Sequence, residues 1–236
     1  GVPLSLFNLS QNDNFGVLEV GMDKKGEIDY LSKIIQPDVS VITNINYAHA
    51  KNFKNIKDIA LAKSEIIDNT KSSGSVVLNA DDDFFELHKA KALNKKLKVI
   101  SFGIQNNKSD IKFIKIKKSK KFYEIMVKQN NSRISFFTQN EFRNNIYNIL
   151  SALSVMSLFI DISSLKKNIF LNFKIPDGRG NISVLNIDKK KIRLIDESYN
   201  SNPLSLKSAL LNYDKISSKK AKKFLLLGDM LELGNH

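Results

Sequence analysis

Short apolar runs alternate along the first hundred residues with stretches in which apolar residues recur every three or four positions. Four of the runs have the length and β-branched content of buried strands, at 15–20, 39–42, 75–78 and 98–102. The stretches 26–35 and 56–68 have the spacing of amphipathic helices. This alternation predicts an α/β unit built on a mostly parallel sheet flanked by helices.

The pattern changes between residues 110 and 138, where polar and apolar residues alternate. It predicts an antiparallel meander with strands at 111–113, 122–127 and 134–137, and Asn130-Asn131 as a turn. A helix is predicted next, over 144–160, with its apolar residues on one side.

The dense Pro/Gly stretch at 175–180 predicts a domain boundary, with one domain over 1–177 and a second over 178–236. The second domain is predicted to hold strands at 182–187, 191–196 and 223–227 and a helix that starts at Pro203. A strand, a helix and a parallel strand make a Rossmann-like crossover, in which Asp196 and Asp229 would lie at strand carboxyl ends beside one crevice.

Composition narrows the chemistry. The 236 residues are 42% hydrophobic, enough for a real core, and contain no cysteine. Any metal must therefore be held by oxygen and imidazole ligands, with Mg²⁺ as the default. No apolar run reaches the length of a membrane span and no secretory leader opens the chain. We expect a cytoplasmic protein that is not inserted in a membrane.

The net charge of +13 admits two explanations. A strongly basic chain can bind nucleic acid or nucleotides through their phosphates. The richness in Lys, Asn and Ile is also what A+T-rich coding produces without any such demand. We favour the coding bias and expect no nucleic-acid partner, and a basic nucleic-acid-binding module is the alternative.

Three residues on successive elements can converge above the sheet. Glu19 ends the first predicted strand, His49 lies in the turn after the second, and Lys63 lies within the apolar stripe of the helix over 56–68. Ligands gather at the carboxyl ends of parallel strands, so this placement suits a metal site open to phosphate and water. Each residue alone has an ordinary explanation, as a solvated acid, a filler imidazole or a lysine that reaches the surface.

Two further polar groups have open interpretations. The acids of Asn79-Ala-Asp-Asp-Asp83 are predicted to cap the next helix, and we assign them no chemistry. Asn145 and Asn148 mark the first turn of the helix over 144–160. They are either ordinary helix-start residues or amides that read a nucleobase edge.

Eight segments, in this order, resemble the Mur ligases. They are Gly1-Val-Pro-Leu, Leu18-Glu-Val-Gly-Met, Thr43-Asn-Ile with His49, Ala62-Lys-Ser-Glu-Ile66, Asn79-Ala-Asp-Asp, Gly178-Arg-Gly, Asp196-Glu-Ser-Tyr-Asn-Ser-Asn-Pro203 and Leu227-Gly-Asp-Met-Leu-Glu-Leu-Gly234. The last two are the most specific. They favour the branch that joins D-alanyl-D-alanine to the UDP-N-acetylmuramoyl tripeptide over its siblings and over folylpolyglutamate synthase.

The resemblance implies the central ATPase domain of these enzymes, a mostly parallel sheet with a small antiparallel sheet, followed by the start of a Rossmann-like C-terminal domain. It implies ATP and Mg²⁺ as cofactors, a monomer, and amide formation through an acyl phosphate. Its implied metal ligands are Glu19, His49 and a carbamylated Lys63. Its implied ATP-binding residues are Asn44, Asn145, Asn148, Arg179 and Asp196, and the cleft residues are Tyr199, Asn200 and Asn202.

The chain departs from the family pattern in two respects. Phe142-Arg-Asn-Asn145 has Asn144 where histidine is common in the family. The Gly-rich phosphate loop, the N-terminal domain and the end of the C-terminal domain are also missing. We therefore expect a piece of a longer protein that does not catalyse ligation alone. A sibling ligase with another amino-acid acceptor is the second alternative.

Overall fold

Six strands form one sheet whose spatial order follows the order of the chain, β1 to β6. The computed structural model describes residues 1–46, 52–173, 175–216 and 222–230. The strands are β1 (Val39–Ile42), β2 (Ser75–Asn79), β3 (Lys98–Gly103), β4 (Ile111–Lys118), β5 (Tyr123–Gln129) and β6 (Ser132–Thr138). Strands β1 to β4 pair in parallel, whereas β4, β5 and β6 pair antiparallel. The prediction of a mostly parallel sheet and an antiparallel meander is confirmed, and the meander continues the parallel sheet as part of the same six strands.

Helix α1 (Val2–Phe7) comes first in the chain, and its Leu4 and Phe7 are exposed. The helices that cover the sheet on both sides are α2 (Glu27–Ile35), α3 (Ile56–Lys63), α4 (Glu65–Asp68), α5 (Phe85–Asn94) and α6 (Arg143–Met156). Because side chains alternate along a strand, Val76 and Leu78 of β2 pack into the cluster that contains residues of α2 to α5, whereas Val77 packs into the cluster of α6. Burial on both faces explains the continuous apolar run of β2.

A short connection joins the parallel and antiparallel halves of the sheet. Strand β4 starts beside the end of β3, with Phe102 opposite Ile111 and Gly103 opposite Lys112. Parallel strands normally need a crossover of a dozen or more residues, but here residues 104–110 suffice. The Asp81 carboxylate accepts hydrogen bonds from the backbone N–H groups of residues 104–106, which holds this loop in place.

The two predicted strands of the C-terminal part are confirmed as β7 (Asn181–Ile187) and β8 (Lys190–Asp196), and they pair antiparallel as a two-stranded sheet. Helix α7 (Pro203–Lys215) follows with Pro203 in its first turn. Asn202 and Ser205 form a reciprocal capping box at its start. The domain boundary after residue 177 stays a prediction.

Two strand predictions are wrong. Residues 15–20 and 223–227 form no strand in the structure, and Val17 and Leu226 are each 96% exposed. An apolar run becomes a strand only when a neighbour satisfies its backbone groups.

The helix predicted over 56–68 is interrupted at Ser64, which separates α3 from α4. The Ser64 hydroxyl donates to the backbone oxygen of Leu61 at 2.7 Å, and such back-bonding competes with the regular helix. Within the described parts of the chain, no helix is both long and apolar enough to cross a membrane.

Candidate functional site

The loop that leaves β1, residues 43–46, makes backbone hydrogen bonds with three side chains at the carboxyl edge of the sheet. The Asn79 side chain donates to the Thr43 backbone oxygen at 3.1 Å, and Lys63 Nζ donates to the Asn44 backbone oxygen at 2.9 Å. The Asp82 carboxylate accepts from the Ile45 N–H at 2.7 Å. These bonds fix the backbone on both sides of Asn44, whose side chain is exposed.

Lys63 lies at the end of α3, half-buried, with its amine against this loop. Burial lowers the pKa of Lys63 below its ordinary value, and the negative charge of Asp82 opposes that change in part. A lowered pKa increases the fraction of neutral amine, which is the form that reacts with carbon dioxide or another electrophile. The predicted role of Lys63 as a metal ligand stays a prediction.

Of the three predicted metal ligands, the structure describes Glu19 and Lys63. Glu19 is exposed, and no hydrogen bond or ion pair joins it to Lys63 in the described structure. His49 lies outside the described residues. Within them, no group of three or more His, Asp or Glu side chains is placed to hold a metal ion. An ammonium group cannot bind a cation, so this donor set fits Mg²⁺ only when Lys63 carries an anionic carbamate.

The start of α6 presents the two predicted adenine residues on one face, since Asn145 and Asn148 are three positions apart. Asn148 is exposed. The Asn145 side chain donates to the Thr138 hydroxyl at 2.8 Å, which leaves its carbonyl oxygen and one N–H for a ligand. Both residues are thus placed at the surface where the helix begins.

Tyr147 connects this helix to the Asp81 turn. Its hydroxyl donates to the Asp81 carboxylate at 2.9 Å and accepts from the Arg143 guanidinium at 3.0 Å. Burial and the Asp81 charge raise the pKa of Tyr147 to about 12. Burial alone would raise the pKa of Asp81, but the N–H groups of residues 104–106 and the Tyr147 hydroxyl outweigh it and lower that pKa.

Three of the predicted C-terminal residues meet at the base of the β7–β8 hairpin. The Arg179 guanidinium lies 4.3 Å from the centre of the Tyr199 ring, and the Gly180 N–H donates to the Asp196 backbone oxygen at 2.7 Å. Gly178 has a φ of +74°, and a Cβ there would lie 2.7 Å from the Tyr199 nitrogen, so only glycine fits. Asn200 is exposed beside them.

Helix α7 joins this part of the chain to the sheet edge. The Asn46 side chain donates to the Asn202 side-chain oxygen at 3.1 Å. One turn and a half further on, the Ser208 hydroxyl lies 3.4 Å from the Asn144 side-chain oxygen. The helix therefore contacts both the loop after β1 and the start of α6, and it brings the predicted cleft residue Asn202 to the candidate site.

Sequence reasoning missed the roles of Asn79, Asp81 and Asp82. They were expected to cap α5, but that helix has no side-chain cap. Their carboxylates and amide instead bind the backbone of the loops after β1 and β3. The available signal was position, because Asn-Ala-Asp-Asp directly follows a buried parallel strand at its carboxyl end.

The fold is an α/β one, with polar side chains gathered where the parallel strands of its sheet end. Residues 1–156 match the family described as Mur ligase middle domain. The chain belongs to the Mur ligase family. It spans about half the length of the curated relatives it matches.

Two relatives and two solved structures illustrate the similarity. Proteins named UDP-N-acetylmuramoyl-tripeptide--D-alanyl-D-alanine ligase are 34% identical in Buchnera aphidicola of Acyrthosiphon pisum (100% of this chain, 50% of that protein) and 29% in Bacillus subtilis (100% and 49%). MurF from Acinetobacter baumannii superposes with a TM-score of 0.85 at 27% identity, over 99% of this chain and 49% of that one. MurF from Thermotoga maritima, solved in complex with ADP, has a TM-score of 0.81 at 24% identity, over 100% and 52%, and shows the shared fold.

Proposed function

We propose that the chain is the central ATP-binding region and the start of the C-terminal domain of an ATP-dependent ligase that joins D-alanyl-D-alanine to UDP-N-acetylmuramoyl tripeptide. The observation that carries this proposal is similarity across the whole chain to relatives bearing that name. The half-buried Lys63 beside the β1 loop, with its lowered pKa, is the local feature that accords with it.

The proposed reaction has two steps. The γ-phosphoryl group of ATP moves to the terminal carboxylate of the tripeptide, which gives an acyl phosphate and releases ADP. The neutral amine of the dipeptide then attacks the acyl carbon, and the tetrahedral intermediate loses a proton and expels phosphate as the amide forms. The acyl phosphate is prone to hydrolysis, so the site must exclude water during the reaction.

Each part of the chain has a role in this scheme. The exposed Asn44 side chain would contact the γ-phosphate, and Asn145 and Asn148 would contact adenine. Arg179 and Asp196 would lie near the nucleotide phosphates and ribose. The cleft residues Tyr199, Asn200 and Asn202 would form the C-terminal wall. The hydrogen bond from Asn46 to Asn202 supports this last assignment, because it shows that this wall lies against the loop at the sheet edge.

Carbamylation of Lys63 would supply the charge that a metal ligand needs. The neutral amine adds to carbon dioxide, one proton is released, and the product keeps one N–H on Nζ. That N–H can retain the hydrogen bond to the Asn44 backbone oxygen. The carbamate oxygens, with Glu19 and His49, would then hold Mg²⁺. When bound, the ion would neutralise charge on the transferring phosphoryl group.

The proposal includes a cytoplasmic monomer whose substrates are the UDP-linked tripeptide and the dipeptide, with no nucleic-acid partner. A sibling ligase with another acceptor is the second candidate, favoured only by the shared fold of related ligases such as the 2,6-diaminopimelate ligase. A nucleic-acid-binding module, suggested by the net charge, would bind DNA or RNA with a steep salt dependence.

The experiment is a ligation assay on the full-length protein that contains this chain. We expect ATP-dependent phosphate release when the UDP-linked tripeptide and D-alanyl-D-alanine are both present. A panel of single amino acids and other dipeptides is the control. Turnover with a single amino acid in place of the dipeptide would establish the sibling ligase, and no turnover with any acceptor would refute the proposal.

A further inference from the structure

We propose that Asn79 and Asp82 are positioning residues that hold the Asn44 side chain in place for a nucleotide phosphate. The inference rests on the proposed function, and it deepens that function by giving a role to the turn after β2. Asn79 and Asp82 act on the backbone of residues 43–46, so neither is a catalytic residue.

The first part of the argument is geometry. The Asn79 and Asp82 side chains hold the backbone immediately before and after Asn44, through the Thr43 oxygen and the Ile45 N–H. The Ile45 side chain is itself buried. A residue whose neighbours are fixed on both sides has little freedom left in φ and ψ, so the position of its Cα and the direction of its Cα–Cβ bond are set, and the side chain chooses only among its rotamers.

The second part is that both holding groups are fixed in turn. Asn79 is 8% exposed, and its side-chain oxygen accepts from the Asp81 N–H at 3.0 Å while its amide donates to Thr43. Asp82 uses one carboxylate oxygen for Ile45 and the other for the Phe84 N–H at 2.9 Å. The turn after β2 is therefore a rigid support rather than a mobile loop.

The third part is what remains free. The Asn44 side chain is exposed and makes no hydrogen bond to any described residue, whereas its backbone oxygen accepts from Lys63. Preorganised donors in a fixed direction bind phosphate oxygens without a reorganisation cost. Asn79 and Asp82 thus hold the backbone of a residue, Asn44, whose side chain is left free to bind a ligand.

The test is steady-state kinetics of the full-length ligase with Asp82→Asn. An asparagine has one acceptor oxygen where the carboxylate has two, so either the Ile45 or the Phe84 hydrogen bond weakens. We expect KM for ATP to rise about tenfold, the size expected when a charge-assisted hydrogen bond is lost, while KM for D-alanyl-D-alanine stays the same. KM does not depend on the concentration of folded enzyme, so partial unfolding does not mask this result.

Asp83→Asn is the matched control. It removes the same charge from the same turn, but Asp83 is exposed and holds no loop. We expect its KM for ATP to equal that of the wild type. A second variant, Asn79→Asp, keeps the acceptor for Asp81 and removes the donor to Thr43, and it should raise KM for ATP in the same way.

A double-mutant cycle with Asn44→Ala decides whether the effect passes through Asn44. If it does, Asp82→Asn adds nothing to KM for ATP once Asn44 is removed. Additive effects, an unchanged KM for ATP, or an equal rise in KM for the dipeptide would overturn the inference. An inactive wild type would instead refute the proposed function itself, so the two failures are distinguishable.

Discussion

Lys63 is the residue at which we propose a chemical role. It is the last residue of α3, and its amine donates to the Asn44 backbone oxygen at the sheet edge. Sequence spacing was enough to single out this lysine, because a cation on an apolar helix face is uncommon. The spacing could not identify the hydrogen-bond partner of Lys63, because every residue has a backbone oxygen and the sequence does not show which one lies nearby.

We expect Lys63→Ala in the full-length protein to lower ligation about 100-fold or more, because the anionic group at this position is lost. A short-chain carboxylate added to the assay should restore part of the rate. Lys57→Ala, on the exposed side of the same helix, is the control and should be fully active. Full activity of Lys63→Ala would refute the proposed role of a Lys63 carbamate.

Tyr147→Phe should destabilise the protein by about 1 kcal/mol near neutral pH, because the hydrogen bond to Asp81 is lost at a half-exposed site. The pKa of Tyr147 is raised in the folded state to about 12, above its ordinary value of 10.0. The contribution is therefore complete below pH 10.0 and is lost as the pH rises towards about 12.

Urea unfolding of wild type and Tyr147→Phe across that range measures the effect. The difference in free energy of unfolding should shrink with rising pH. A difference that does not change with pH would show that the hydroxyl contributes no pH-dependent stability.

At the scale of elements, the loop over 104–110 is the part of the sheet that depends most on one side chain. Three backbone N–H groups point at the Asp81 carboxylate, and without it they would be left with no acceptor. The loop also carries Asp110, which accepts from the Ser101 N–H at 2.7 Å. These bonds allow a parallel connection far shorter than usual.

Asp81→Asn should lower the free energy of unfolding by about 2 kcal/mol near neutral pH. The pKa of Asp81 is lowered from 3.8 in the folded state, so its contribution is present above pH 3.8 and is lost as the pH falls through the lowered value. The difference between wild type and variant should therefore diminish in acid. Asp83→Asn, in the same turn, should remain within about 0.5 kcal/mol of wild type at both pH values.

Elements were predictable where the sequence itself carries the cause. The run at 75–78 became a strand that is buried on both faces, and the run at 39–42 became one that is buried on one face and half-buried on the other. The runs at 15–20 and 223–227 look similar but pair with no described strand. A strand forms only where a second strand lies beside it and completes its backbone hydrogen bonds, and the apolar run itself does not show whether such a strand is present. The division of the helix at Ser64 escaped prediction for a related reason, since serine is tolerated within many helices.

At the scale of the whole molecule, α7 is the element through which the two parts of the chain touch. Asn202 both caps this helix and accepts from Asn46, 156 positions earlier in the chain. No pattern in the sequence indicated the pair Asn46 and Asn202, because contacts between distant polar side chains follow from the completed fold. Asn202 was singled out through its motif instead, and its role in the cleft stays a prediction.

We expect Asn202→Ala to reduce kcat/KM for ligation about tenfold, because it removes the contact between the cleft wall and the sheet edge. Ser205→Ala is the matched control, since it disrupts the same capping box without touching Asn46. Both variants should lose about 1 kcal/mol of stability, measured by thermal unfolding. Equal losses of ligation in the two variants would show that only the cap matters.

The order of the strands also has a consequence during synthesis. Each strand from β2 to β6 pairs with the one made just before it. A strand emerging from the ribosome therefore finds its partner already present and need not wait for a later segment. The open edge moves along the sheet as translation proceeds, and no described strand of the six must stay unpaired for long, which limits the time in which nascent chains could stick to one another.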